Sequence, residues 1–137
     1  MGSIYKMTIL IVDTDLLICN MLSRELCSSC DFIGNVQTVQ SENETLKEIS
    51  SYFYDFCILG FNLSDSDGLE IMKRIQVISP ETRVIIMTEN GTNGNMKRLY
   101  DEGAHFVIAK PFNIVLLKTV LKQALKEKFY KVSDVSF

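Results

Sequence analysis

Short apolar runs alternate with amphipathic stretches five times along the sequence, and this alternation limits the possible folds more than any other feature. Runs that are apolar throughout are typical of strands in a parallel sheet that is covered on both faces. The amphipathic stretches between them predict the helices that connect such strands. The predicted strands are Thr8–Val12, Phe32–Thr38, Phe56–Leu59, Val84–Met87 and Phe106–Ala109. The sequence therefore predicts an α/β fold, a doubly wound five-stranded parallel sheet flanked by five helices.

Apolar residues that recur every three or four positions predict where the helices lie. Helices are expected near residues 15–29, 43–52, 68–78 and 113–129, with a short one that ends before Gly103. That helix should be short because the segment before it is rich in glycine and asparagine, which are poor helix formers. We divide the chain into a lead at residues 1–4, a domain at 5–129, and a tail or linker start at 130–137.

The length and charge of the chain argue against several classes of function. The 137 residues suit a single domain. The net charge of −3 comes from acidic and basic residues mixed along the chain, so direct nucleic-acid binding is not expected. The sequence has no apolar run of membrane-spanning length and no signal peptide, which predicts a cytoplasmic protein. The four cysteines are expected to be reduced, and Cys27 and Cys30 lack the further ligands of a zinc site.

Polar residues follow four of the predicted strands, at the edge where open parallel sheets bind ligands. Because the carboxyl ends of parallel strands meet at one edge, these segments are expected to line one pocket. They bring together acidic groups, a hydroxyl and a lysine, which is a chemically distinctive set. The four segments are Asp13-Thr14-Asp15, Gly60-Phe61-Asn62, Thr88-Glu89-Asn90 and Lys110-Pro111-Phe112.

Over residues 5–128 the chain resembles the receiver domain of two-component response regulators. The order and spacing of several motifs together carry the resemblance. These motifs are Ile9–Asp13, Asn62–Glu70, Val84–Thr88, Gly103-Ala104 and Lys110–Phe112. The resemblance implies the strand order 2-1-3-4-5. It also implies an acidic pair after strand one that holds Mg²⁺, a phosphorylated aspartate at the end of strand three, and a hydroxyl and a lysine that contact the phosphoryl group.

Matched to that family residue by residue, the pocket lacks its central group. Asp13 takes the first acidic position, but Thr14 takes the second and Gly60 takes the position of the phosphorylated aspartate. A glycine has no side chain to attack phosphorus, so phosphotransfer at this position is not expected. With two carboxylates missing, Mg²⁺ binding should be weak or absent, at most through Asp13. We expect no cofactor and no catalytic residue.

Two further positions depart from the family pattern. Glu89 follows Thr88 where the family has a small residue, so it could block the phosphate position or pair with Lys110. Val107 stands at the switch position of strand five, which is usually aromatic, and a valine cannot make the rotamer swing of an aromatic switch. Asp13 is expected to pair with Lys110, whereas Asp15 is expected to cap the first helix.

These departures favour a receiver-like domain that acts as a phosphorylation-independent protein-interaction module and not as an enzyme. The expected partner is a protein of a signalling pathway, such as a histidine kinase or an output domain. A homodimer through the fourth helix, fifth strand and fifth helix is a further possibility, with Val107, Leu116 and Val120 as candidate surface residues.

Two alternatives remain open at the level of sequence. In the first, a displaced residue, Asp13 or Asp15, accepts the phosphoryl group. In the second, the chain is a flavodoxin-like cofactor-binding domain on the same architecture. The second is disfavoured because the acidic loop after strand one would repel a phosphate.

Overall fold

The computed structural model describes residues 5–63, 67–89, 91–110 and 113–135, with side chains described as far as Glu127. Five strands and five helices alternate along the chain. They are β1 (Met7–Val12), α1 (Leu16–Ser29), β2 (Ile33–Val39), α2 (Glu42–Ser51), β3 (Phe56–Gly60), α3 (Gly68–Ile78), β4 (Arg83–Thr88), α4 (Asn93–Asp101), β5 (Phe106–Ala109) and α5 (Ile114–Val135).

The five strands form one parallel sheet in the order β2-β1-β3-β4-β5, which confirms the predicted fold. The chain first runs from β1 to β2 on one side and then crosses to β3 on the other. Strand order therefore reverses between β1 and β3, and the carboxyl ends of these two strands flank the crevice in which such sheets bind ligands.

Two separate apolar clusters cover the two faces of the sheet, because successive side chains of a strand point to opposite faces. One face packs against α1 and α5, with Ile11 of β1 and Leu121 of α5 fully buried. The other face packs against α2, α3 and α4, with Leu10 and Leu99 fully buried. Burial on both faces accounts for the uninterrupted apolar strands in the sequence.

Side-chain caps begin all five helices. In each case an oxygen of the residue before the helix accepts a backbone N–H of the first turn, which satisfies a group without an intrahelical partner. The capping residues are Asp15 for α1, Ser41 for α2, Asp67 for α3, Thr92 for α4 and Asn113 for α5. The structure confirms the prediction that Asp15 caps the first helix.

The structure corrects the prediction that Val107 lies on an exposed partner surface. Its side chain is 1% exposed and belongs to the cluster under α2, α3 and α4. Strand β5 lies at the edge of the sheet, but helices pack on both faces there, so its two middle residues, Val107 and Ile108, are buried. Leu116 is 42% exposed, as that prediction requires. Val120 is half-buried against the cluster under α1 and α5.

Helix α5 is longer than expected, since it continues to Val135 through residues predicted as a tail. No glycine or proline interrupts this part of the sequence, so nothing in the backbone stops the helix near Phe129. The short α4 and its end before Gly103 are as predicted.

All four cysteines are free thiols, and burial raises the pKa of Cys57 to about 12. In the described residues, no group of three or more histidine, cysteine, aspartate or glutamate side chains could hold a metal ion. Nor is any helix in this part of the chain both long and apolar enough to cross a membrane.

Candidate functional site

A buried carboxylate lies at the reversal point of strand order. Asp13, directly after β1, is 3% exposed. Its Oδ1 accepts the backbone N–H of Asp15 at 2.9 Å, and its Oδ2 accepts from the Lys110 ammonium at 3.0 Å. The Lys110 side chain is 20% exposed and follows β5 at the far side of the sheet. The ion pair therefore joins the carboxyl ends of β1 and β5 across the intervening strands, as we expected for Asp13.

The space beside Gly60 is taken by the same carboxylate. A Cβ atom added to Gly60 would lie 2.9 Å from Asp13 Oδ2 and 3.4 Å from the Val12 carbonyl oxygen. The first distance is shorter than carbon and oxygen atoms adopt without an adjustment of one of them. The carboxylate, held by two hydrogen bonds, thus lies within 3 Å of the point where any side chain at position 60 would begin.

The remaining pocket residues are distributed between the interior and the surface. Thr88 at the end of β4 is 1% exposed, and its carbonyl oxygen accepts the backbone N–H of Lys110 at 2.8 Å. Thr14, Asn62 and Glu89 are exposed. In the described part of the chain the ion pair of Lys110 is with Asp13, so the alternative pairing of Lys110 with Glu89 was wrong.

The first residue of α3, Gly68, lies very close to the backbone at the end of β3. The Gly68 N–H donates to the Phe61 carbonyl oxygen at 2.6 Å, and Asn62 forms an isolated antiparallel bridge with Asp67. A Cβ atom on Gly68 would lie 2.7 Å from the Gly60 carbonyl oxygen and 2.9 Å from Phe61 Cα. Residues 90 and 111–112 of the expected pocket, and residues 64–66 of the receiver-like motif Asn62–Glu70, fall outside the described residues.

The hydrogen bonds that the Asp13 carboxylate already accepts limit what this pocket can bind. One of its oxygens neutralises a lysine and the other accepts a backbone N–H, so both are already engaged. At the two other family acidic positions, Thr14 offers a hydroxyl and Gly60 offers only backbone. A magnesium ion requires near-octahedral oxygen ligands, usually with one or two carboxylates. Of the described residues at these positions, only Asp13 could supply a carboxylate, and that carboxylate is already paired with Lys110.

We predict that Gly60→Ala lowers the free energy of unfolding by about 1–2 kcal/mol, because the new methyl group must displace the Asp13 carboxylate. Denaturant unfolding measures the change. Gly94→Ala is the matched control, since nothing lies within 4 Å of a Cβ atom there and an alanine favours helix α4.

In an Asp13→Ala background the cost of Gly60→Ala should fall, since the colliding oxygen is gone. An equal cost in both backgrounds would show that the carboxylate does not occupy this space.

Two of the polar contacts outside this pocket that sequence reasoning missed involve tyrosine hydroxyls. The Tyr100 hydroxyl of α4 accepts the backbone N–H of Val107 at 3.0 Å. At the opposite edge of the sheet, the buried Asp55 carboxylate accepts from the Tyr5 hydroxyl at 2.7 Å and from the Thr8 N–H at 2.9 Å. No motif indicated either contact, because each joins residues whose separation depends on how the elements pack.

The fold and the polar carboxyl edge define a doubly wound α/β domain with a receiver-like pocket. A family model described as the response regulator receiver domain matches residues 9–122. The chain therefore belongs to the response regulator receiver family. Family membership confirms the resemblance inferred from the sequence motifs.

Among curated relatives, sporulation initiation phosphotransferase F of Bacillus subtilis is 34% identical over 94 residues, which cover 67% of this chain and 76% of the relative. The DNA-binding transcriptional regulator NtrC of Azospirillum brasilense is 28% identical over 119 residues, or 86% of this chain. The match covers 24% of that regulator, so the chain corresponds to a small part of its length.

Solved structures agree with the fold. A CheY-like response regulator receiver domain protein from Methanospirillum hungatei superposes with a TM-score of 0.78 at 24% identity, covering 92% of this chain and 98% of that one. The response regulator DrrB of Thermotoga maritima gives a TM-score of 0.79 at 27% identity, covering 90% of this chain and 54% of DrrB.

Proposed function

We propose that this receiver domain of two-component signalling acts as a protein-interaction module that does not depend on phosphorylation. One observation carries the proposal. At the end of β3, where the family carries the aspartate that accepts the phosphoryl group, this chain has Gly60, and the Asp13 carboxylate fills the adjoining space. A phosphoryl group has no nucleophile to join at that position.

The charge balance of the pocket supports the same function. In a receiver that is phosphorylated, a metal ion and a lysine offset the charge of the carboxylates and the phosphoryl group. Here the single carboxylate at the three acidic positions is already neutralised by Lys110 at 3.0 Å. The pocket therefore holds a closed ion pair that needs neither metal nor phosphate, and its role is structural.

As partners of the domain we propose a histidine kinase or an output domain of a signalling pathway. The proposed functional unit is residues 5–129, and the last turns of α5 beyond it, as far as Val135, form the start of a linker. Leu116 is the exposed apolar residue of the proposed surface, and Val120 lies at its half-buried margin. A homodimer through α4, β5 and α5 would use the same face.

We predict that incubation with acetyl phosphate and Mg²⁺ leaves the intact mass of the protein unchanged. Beryllofluoride with Mg²⁺ should likewise leave its melting temperature unchanged, because we expect no binding. A ligand that did bind, at 100 times its Kd, would stabilise the fold by about 2.7 kcal/mol and raise the melting temperature measurably. A receiver domain that carries the aspartate acceptor, treated in parallel, is the positive control.

An acid-labile adduct of one phosphoryl group on this chain would contradict the proposal. The residue that carries the adduct would then show which of the two displaced acceptors is used. Asp13 is 3% exposed and engaged by Lys110, whereas Asp15 is exposed but caps α1. Peptide mapping of the adduct in wild type and in an Asp15→Asn variant would identify the acceptor.

A further inference from the structure

The edge strand β5 has one neighbouring strand, β4, so its outer backbone groups need partners from elsewhere. One of them is the Val107 N–H, which donates to the Tyr100 hydroxyl oxygen at 3.0 Å. Tyr100 belongs to α4, the helix that precedes β5 in the chain. A side chain of the helix thus takes the place of a sixth strand at this amide.

The tyrosine ring adds a second contact to the same strand. It meets the Phe106 ring edge-on, with the ring centroids 6.3 Å apart and an angle of 81° between the ring planes. Such edge-to-face arrangements are favourable for aromatic pairs. Hydroxyl and ring together therefore bind α4 to two successive residues of β5.

Helix α4 has few other attachments to the sheet. It is the shortest of the five helices, and in its nine residues only Leu99 is buried. Tyr100, the next residue, is 39% exposed and points to the edge strand, whereas Leu99 enters the core. Met96 of α4 packs against the same cluster but is only partly buried. A short helix held by these two apolar side chains gains a further attachment from Tyr100 at the edge strand.

We propose that Tyr100 is a positioning residue that latches α4 to β5 and so holds the α4–β5 face in one preformed arrangement. The inference rests on the proposed function, because a surface that acts without phosphorylation must already have its binding shape. The Val107 side chain lies in the same buried cluster as Leu99 of α4. Its backbone N–H adds a directional contact with the helix, through the Tyr100 hydroxyl.

The test uses Tyr100→Phe, which removes the hydroxyl and keeps the ring beside Phe106. Amide hydrogen exchange followed by NMR should show the Val107 amide exchanging about fivefold faster, the factor expected for the loss of one net hydrogen bond. Its proton resonance should also move upfield. Exchange across α4 should rise as well, while the Leu10 amide in the central strand β1 keeps its rate. Tyr52→Phe, at a tyrosine that is 64% exposed after α2, is the matched control and should change none of these amides.

An unchanged rate and resonance position for Val107 would overturn the latch. So would an equal rise at Leu10, since that would indicate general loosening of the fold. These readouts are independent of any phosphodonor. Phosphorylation of the wild-type chain would therefore contradict the proposed function but not the latch. An unchanged Val107 amide in Tyr100→Phe would contradict the latch but not the proposed function.

Discussion

Asp13→Ala is expected to lower the free energy of unfolding by about 3–4 kcal/mol, because it leaves the Lys110 ammonium in a largely buried site without its counter-charge. The Asp15 N–H loses its acceptor at the same time. Urea unfolding of the two proteins measures the change. This is the largest effect that we expect from any single substitution in the pocket.

Asp15→Ala is the matched control for this prediction. It removes a carboxylate two residues away that is exposed and caps a helix, so its cost should be about 1 kcal/mol. Lys110→Met tests the pair from the other side, and the double variant should be more stable than the sum of the two single losses indicates. If Asp13→Ala costs no more than Asp15→Ala, the buried ion pair does not hold the pocket together.

Gly68→Ala is expected to lower the free energy of unfolding by about 2–3 kcal/mol, at the upper end of the usual cost of overpacking. A methyl group there would meet the Gly60 carbonyl oxygen at 2.7 Å and Phe61 Cα at 2.9 Å. Both atoms belong to the backbone of β3 or its end, so neither can turn away as a flexible side chain does. Thermal or denaturant unfolding gives the change.

The loss of unfolding free energy in Gly68→Ala can be compared with that in Gly60→Ala. At Gly60 the obstructing atom belongs to a side chain, and at Gly68 it belongs to the main chain, so Gly68→Ala should be the more costly substitution. Gly94→Ala again serves as the control at an open helical position. Equal costs at the two buried positions would mean that the end of β3 moves as readily as the Asp13 side chain.

Much of the fold was predictable because its determinants are local. The apolar strands, the helical spacing on either side of them and the cap at Asp15 each depend on a few neighbouring residues. Convergence of Asp13 and Lys110 was also predictable, since the carboxyl ends of parallel strands share an edge. The length of α5 was misjudged because a helix without a breaker has no local signal for its end.

The sequence by itself determined that position 60 carries no acceptor, that the chain forms a doubly wound parallel sheet, and that an acid and a lysine meet at one of its edges. Only the tertiary structure decided that the Asp13 carboxylate fills the space beside Gly60, that Val107 is buried and that Tyr100 reaches its N–H. The physical reason is the distance along the chain over which sequence signals act. Residue type and periodicity act over a few positions, whereas the approach of Asp13 to Gly60, the burial of Val107 and the Tyr100–Val107 hydrogen bond depend on how helices and strands pack against one another. Tyr100 is only seven residues before Val107, yet it reaches that N–H only because α4 packs beside β5.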